Sequence, residues 1–399
     1  MHKIAICKIG GRISFGKVDK DGNVSNAKDT SGGNGEAKAI IDIAKKSGQF
    51  DITILTKTTS KDYFPSEYEF VDIVDLLKNG KIEQFMSERQ FDVFLLINGT
   101  INCFGGAEQS IESDLAIYKM LHLFDKKIVF CSCDICIPFS TNIWKTIASK
   151  PWSSKYSPNE FDLSDKTFYM LTQARDLDAL YSILDKKSGN AFKRENIKNF
   201  AFEKFPCENE IQHVEMNYSP SYDLLYGGTL RAGRRIKKIV NWYYNHPTLN
   251  IELFGNMDQD KIDAVAKKQY GDGYFKPNFN DPVNYLDNSR KMNKALATIV
   301  IGDDMYEDTS TVQQRAYESM CANVVTFIDE KLDRLHNVYG SNPELADFLY
   351  LQNPCQLEDR ISKLKLDSDF RNNILAFQQS IINFNRQEWY NDFVDKVLN

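Results

Sequence analysis

A chain of 399 residues has room for two ordinary domains, and 42% hydrophobic, 26% charged and 12% aromatic residues describe a globular protein with large cores, which excludes a disordered chain. No apolar run reaches about 18 residues, so no membrane-spanning helix is expected. A net charge of −6 argues against nonspecific adhesion to nucleic acid but leaves room for a local basic groove.

MHKIAICKIG enters a strand pattern at once, without a signal-peptide layout, and KIAICKI (3–9) reads as the first strand. Asp19–Gly35 is rich in Gly, Asn, Asp and Ser and is expected to be a mobile loop. EAKAIIDIAKKSG (36–48) reads as a helix, with Ala37, Ile40, Ile41 and Ala44 on one face and Gly48 as its stop. DITILT (51–56), FDVFLLIN (91–98) and KIVFCSCD (127–134) are nearly continuous apolar runs, as parallel strands covered on both faces require. A lysine-rich stretch, 186–204, reads as an insertion, and 207–221 as a polar linker. The pattern then restarts with strands YDLLYGG (222–228), LNIELFGN (249–256), ALATIVIGD (295–303) and NVVTFID (323–329), and a helix over Arg235–Tyr244. Helical patterns close the chain: ELADFLY, LEDRISKL and a stretch from about Phe370 to Leu398. The expected fold is α/β, two Rossmann-like domains facing a central cleft at their strand ends. GT-B glycosyltransferases, some epimerases and periplasmic-type binders share that layout.

The eight cysteines make no disulfide framework, which points to a reducing, cytoplasmic compartment. Cys133-Asp134-Ile135-Cys136 is a CxxC without a second CxxC or a nearby histidine, so a structural role is favoured over metal or redox chemistry. The five histidines form no HxxxH or HExxH, and neither GxGxxG nor GxxxxGK[ST] occurs, which disfavours metal hydrolases, dinucleotide oxidoreductases and P-loop enzymes.

Four segments carry candidate chemistry. YGGTLRAGRRIKK (226–238) is a strand end, a Gly-Gly turn and a helix start, with three arginines and two lysines within eight residues. Backbone N–H groups at such a turn and a helix N-terminus attract anions, and arginine grips phosphate bidentately; the plain alternative is a solvated basic face. Asp134 follows a buried strand and fits either a general base or a turn cap before Pro138. INGTINCFGG (97–106) ends another strand in a polar loop with Asn102 and Phe104 at its tip, either an ordinary turn or a probe that enters a base stack. Arg315 and Glu318 open a helix after Asp303, where the carboxylate reads as a ribose ligand or a surface charge.

Taken in order, KIAICKIG, INGTINCFGG, CDICIPFSTNIW, KPW (150–152), YGGTLRAGRR, NIELFGN, IVIGDDMYED, RAYESM and FIDEKLD resemble the phage DNA β-glucosyltransferases of the T-even type. Those enzymes move glucose from UDP-glucose to 5-hydroxymethylcytosine in duplex DNA. The resemblance implies a GT-B fold whose C-terminal helix, 378–399, returns to an acceptor-binding domain at 1–208, with a UDP-sugar domain at 209–377. It implies Asp134 as catalytic base in an inverting transfer, with Glu36 close by. It implies a donor site of Gly227, Gly228, Thr229, Arg231, Arg235, Phe254, Gly255, Asn256, Val283, Tyr306, Arg315 and Glu318, with the arginines on the diphosphate, Glu318 on the ribose and Val283 on the uracil. Asn102 and Phe104 would enter DNA beside a flipped nucleotide. The expected partners are UDP-glucose or another UDP-sugar such as UDP-arabinose, and double-stranded DNA with hydroxymethylated bases; a monomer is expected. A divalent cation such as Mg2+ stays open, since no carboxylate cluster specifies one. Cys103 between Asn102 and Phe104, Thr229 in place of a serine and one extra residue between Tyr306 and Arg315 depart from the pattern. They leave open a pentosyl donor (UDP-arabinose or UDP-xylose) and 5-hydroxymethyluracil as acceptor base. A GT-B enzyme acting on a small molecule, an epimerase, and a non-catalytic nucleotide- or DNA-binding protein are the competing readings.

Overall fold

The computed structural model describes residues 1–8, 13, 15–18, 20, 24–25, 32–58, 63–97, 108–132, 157, 160, 163, 165–188, 194–201, 214–228, 233–255, 257–283, 285–382 and 386–398. The chain divides into two compact units, one of residues 1–173, 177–208 and 385–399, the other of 174–176 and 209–384. No helix among the described residues is long and apolar enough to cross a membrane.

In the first unit, β1 (His2–Lys8), β4 (Phe50–Thr56), β5 (Glu69–Asp72), β6 (Val93–Ile97), β7 (Lys127–Ser132), β8 (Phe168–Thr172) and β9 (Ile197–Ala201) form one sheet, in the order β5-β4-β1-β6-β7-β8-β9. Every pairing is parallel. All five residues of β6 are buried, as a strand covered on both faces demands. Two features depart from the sequence reading. The stretch expected to be a mobile loop contains β3 (Val24–Ser25), paired antiparallel with β2 (Lys17–Val18) just before it, and the first helix begins at Gly32, not Glu36. The lysine-rich insertion contains β9, which extends the sheet beside β8. The helix Arg386–Leu398 belongs to this unit, where the Lys396 carbonyl accepts a bond from Lys127 Nζ at 3.1 Å.

The second unit holds β10 (Tyr222–Gly227), β11 (Ile251–Phe254), β12 (Asn278–Asn280), β13 (Ala295–Val300), β14 (Val325–Asp329) and β15 (Tyr350–Leu351), all parallel, in the order β12-β11-β10-β13-β14-β15. Counted along the chain this is 3-2-1-4-5-6, the doubly wound order, and the first unit has the same order with one strand added. The helix Gly233–Tyr243 follows β10 and buries Ile236, Ile239, Val240 and Tyr243, an i, i+3, i+4, i+7 stripe that docks it on the sheet. Gln378 of the helix Ser368–Ile382 clips onto β14: its Nε2 donates to the Val324 carbonyl at 2.8 Å and its Oε1 accepts from Thr326 N at 2.9 Å. Residues 174–176 join this unit because Arg175 N and Asp176 N both donate to the Thr309 carbonyl at 3.0 Å.

His246, buried in the turn after Gly233–Tyr243, makes this unit sensitive to acid. Burial pushes its imidazole below the ordinary value, only partly offset by the Glu358 carboxylate 3.5 Å from Nδ1. The native state therefore binds fewer protons here than the unfolded chain once pH falls below about 6.5. Stability is present above that value and is lost as pH falls toward the native pKa. His246→Gln is expected to flatten the dependence of melting temperature on pH between about 7.5 and 5.5; an unchanged slope in thermal denaturation would remove His246 as its source.

Candidate functional site

In a 3-2-1-4-5-6 sheet the crossover connections leave opposite ways from the first and fourth strands, and their C-terminal ends open a crevice. In the second unit those strands are β10 and β13. β10 ends at Gly227, which pairs with Phe254 of β11. The Phe254 ring lies over Gly227 so closely that an added Cβ would enter it, 2.6 Å from Cε1. At Gly228 the space a Cβ would take holds the Arg315 guanidinium, with Nη2 2.8 Å and Cζ 2.9 Å from that point. Gly255 adopts φ +131°, and the Gly228 carbonyl stands where its Cβ would be. The Gly228 N–H in turn donates to the Phe254 carbonyl at 3.0 Å. Glycine is thus required because backbone, ring and guanidinium meet within one turn.

Three cations converge here and differ in their partners. Arg235, in the first turn of Gly233–Tyr243, binds Asp303 side-on: Nε to Oδ1 at 2.9 Å and Nη2 to Oδ2 at 2.7 Å. Burial opposes its charge, but Tyr226 and Asp303 outweigh it and hold the guanidinium pKa above the usual value. A guanidinium has five N–H donors. Asp303 takes the Nε–H and one Nη2–H, leaving the outer edge with Nη1. Lys238 donates to the Gly302 carbonyl at 2.9 Å and pairs with Asp304 at 3.1 Å and with Glu307. Arg315 sits at the start of the helix Gln314–Cys321, whose N-cap, Gln313, makes no side-chain capping bond. Its guanidinium lies 5.2 Å from the centroid of the Tyr226 ring, and no carboxylate among the described residues pairs with it.

Beside the turn, Leu225, Phe254, Met292, Ala295, Ala322 and Val324 form an apolar cluster, against which Val283 and Tyr222 pack. Beside it, fully buried Glu252 is ion-paired with Lys291, whose ammonium lies 5.8 Å from the Tyr222 ring and 5.9 Å from the Phe254 ring. The neighbouring Glu252 carboxylate and then burial push the Tyr222 hydroxyl pKa up.

Of the residues singled out in the sequence, Gly227, Gly228, Arg235, Phe254, Gly255 and Arg315 meet around the ends of β10 and β11. Val283 packs on the cluster that contains Phe254. Tyr306 is buried and its N–H donates to the Asp303 carbonyl at 2.9 Å. Glu318 is half-buried, one turn beyond Arg315 on the same helix. Glu36 lies inside the first helix, four residues past its start, with its side chain outside the described residues. Asn102, Phe104, Asp134, Thr229, Arg231 and Asn256 also lie outside the described residues. Sequence reasoning missed Asp303 as the partner of Arg235, and it read Tyr226 only as a strand end. It also missed the Glu252–Lys291 pair, although an acidic residue inside the apolar run NIELF was a usable signal. Among the described residues, no group of three or more His, Cys, Asp or Glu side chains is arranged to hold a metal ion.

Comparison with known proteins gives a consistent picture. The family model described as Bacteriophage T4 beta-glucosyltransferase matches residues 39–209. The DNA beta-glucosyltransferase of Enterobacteria phage T4 is 29% identical over 340 residues, which span 81% of this chain and 88% of that protein. The crystal structure of the T4 phage enzyme with its UDP-glucose substrate superposes with a TM-score of 0.71 at 22% identity, covering 99% of each chain. An alpha-glucosyltransferase solved with UDP and a 13-mer DNA containing an HMU base superposes with a TM-score of 0.59 at 10% identity, covering 100% of this chain and 99% of that one. The fold is GT-B, and the expected resemblance to the T-even-type β-glucosyltransferases holds.

Two glycine replacements separate close approach from backbone strain. Gly271 also has positive φ, +83° with ψ −174°, but nothing lies within 4 Å of the point where a methyl group would stand, so Gly271→Ala is expected to cost only the backbone strain, about 1–3 kcal/mol. Gly255→Ala adds a collision with the Gly228 backbone and is expected to cost clearly more, above about 3 kcal/mol. Equal losses in urea denaturation would contradict the packing at Gly228.

Proposed function

This chain is a relative of the bacteriophage T4 beta-glucosyltransferase family, and we propose that it moves glucose from UDP-glucose to the hydroxymethyl group of 5-hydroxymethylcytosine in duplex DNA. One observation carries the donor half of this reading. The Arg315 guanidinium stands against Gly228 at the crevice of the second sheet, without a carboxylate partner among the described residues. Open α/β sheets bind nucleotides at that crevice, and an unneutralised guanidinium there suits a diphosphate.

In this reading Arg315, Arg231 and the outer edge of Arg235 hold the diphosphate together with backbone N–H groups of the 227–229 turn. Each charge-assisted bond contributes roughly 1.5–3 kcal/mol. Phe254, Gly255, Asn256, Val283 and Tyr306 surround the nucleotide, with Val283 on the uracil, and Glu318 accepts from the ribose hydroxyls. The acceptor nucleotide leaves the duplex, which costs a few kcal/mol, and Asn102 and Phe104 fill the gap. Asp134, with Glu36 nearby, takes the proton of the acceptor hydroxyl as its oxygen bonds to the anomeric carbon. The bond from that carbon to the UDP oxygen breaks in the same displacement, which inverts the configuration, and the arginines neutralise the departing phosphate. A divalent cation bound to the diphosphate would add to that neutralisation.

The test is mass spectrometry of duplex DNA bearing 5-hydroxymethylcytosine, 5-hydroxymethyluracil or unmodified cytosine, incubated with UDP-glucose, UDP-arabinose or UDP-xylose. One hexose added to 5-hydroxymethylcytosine is the expected product. A pentose product or a uracil preference would change donor or acceptor, and transfer to none of the DNAs would overturn the reading. Asp134→Asn is expected to slow transfer by about 10²- to 10⁴-fold with UDP affinity nearly unchanged in calorimetry. Transfer at near the wild-type rate would remove Asp134 as the base.

A further inference from the structure

Resting on that reading, we infer that Tyr226 is a positioning residue for Arg315: its ring is the platform that holds the guanidinium at the glycine turn without neutralising it. A cation that must meet a phosphate has to be fixed in place, yet a carboxylate that fixes it also consumes its charge. The neighbouring cations take the carboxylate route, Arg235 on Asp303 and Lys238 on Asp304 and Glu307. Arg315 has no carboxylate partner among the described residues; it lies over the Tyr226 ring, whose π-face attracts a cation without taking up its N–H groups.

The platform is itself rigid. Tyr226 is 1% exposed and meets Tyr243 edge-to-face, with centroids 5.6 Å apart and planes at 68°. The Tyr243 hydroxyl accepts from Ile299 N and donates to the Ile299 carbonyl, both at 3.3 Å, which ties the aromatic pair to β13. From the other side, Gly228 admits the guanidinium because it has no Cβ. Among the described residues the buried Tyr226 hydroxyl has no hydrogen-bond partner, and it is the ring that faces Arg315.

The experiment is titration calorimetry of this 399-residue chain with UDP. Tyr226→Phe keeps the ring and is expected to bind UDP within about twofold of wild type. Tyr226→Leu removes it and is expected to weaken binding by about three- to thirty-fold. In an Arg315→Met background, Tyr226→Leu is expected to have no further effect, a coupling that a merely structural role would not produce. Gly228→Ala, which pushes the guanidinium off its seat with Tyr226 intact, is expected to weaken binding as Tyr226→Leu does and serves if that variant fails to fold. Equal losses for Tyr226→Phe and Tyr226→Leu would assign the role to the hydroxyl and overturn the platform, as would additive effects of Tyr226→Leu and Arg315→Met. A wild-type chain that does not bind UDP would instead sink the proposed function. Wild-type binding with Tyr226→Leu unaffected would leave that function standing and overturn this inference.

Discussion

The second unit is organised around one constraint: a guanidinium has to occupy the place of a missing side chain at Gly228. Three strands meet that demand. β10 delivers two glycines at its end, and β11 delivers Phe254, whose ring covers the first. The segment after β13 delivers the helix that carries Arg315. The backbone is drawn so tight that Gly255 must adopt φ +131° with the Gly228 carbonyl against it. A methyl group at these positions would separate the Phe254 ring, the Arg315 guanidinium and the Gly228 carbonyl from the glycines they press against.

The charges around this point are arranged in layers. Asp303 turns Arg235 so that its side-on edge is occupied and its outer edge is not. Lys238 is held by the Gly302 carbonyl and by two carboxylates of the short helix Asp304–Asp308. Further inside, burial and then Glu307 push the Asp329 carboxyl pKa up, against Lys331 and Lys238, which pull it down. Bidentate pairing of the kind Asp303 offers costs less rotamer entropy at the moment of ligand binding, because the guanidinium plane is already set. Beside the apolar cluster, fully buried Glu252 is paired with partly buried Lys291, and removing Lys291 would strand the buried carboxylate, which is strongly destabilising.

Much of this was legible in the sequence, for a physical reason. Strands covered on both faces must be apolar throughout, so KIAICK, DITILT, VFLLI, KIVFC, ALATIV and VTFID announced themselves. Of the strands that escaped, EFVD in β5, IKNFA in β9, NFN in β12 and YL in β15 are edge strands, too short or too polar to carry a period, while FYMLT in β8 is interior and largely apolar and was missed all the same. The first helix was started late because Gly32, Gly33 and Gly35 are poor helix formers and read as loop. The candidate site divides the same way. A strand, two glycines and a basic helix start are local in sequence and were found. The carboxylate that turns Arg235 is 68 residues away, and the ring beneath Arg315 belongs to a different element, so neither pairing has a sequence signature.

The central claim, that a UDP diphosphate is seated at the ends of β10 and β13, is tested most directly by amide hydrogen exchange with and without UDP. The account predicts slowed exchange at residues 227–232, 255–256 and 301–316, with the far ends of the same strands unchanged. Protection confined to other parts of the chain, with those segments exchanging as fast as in the free protein, would contradict it.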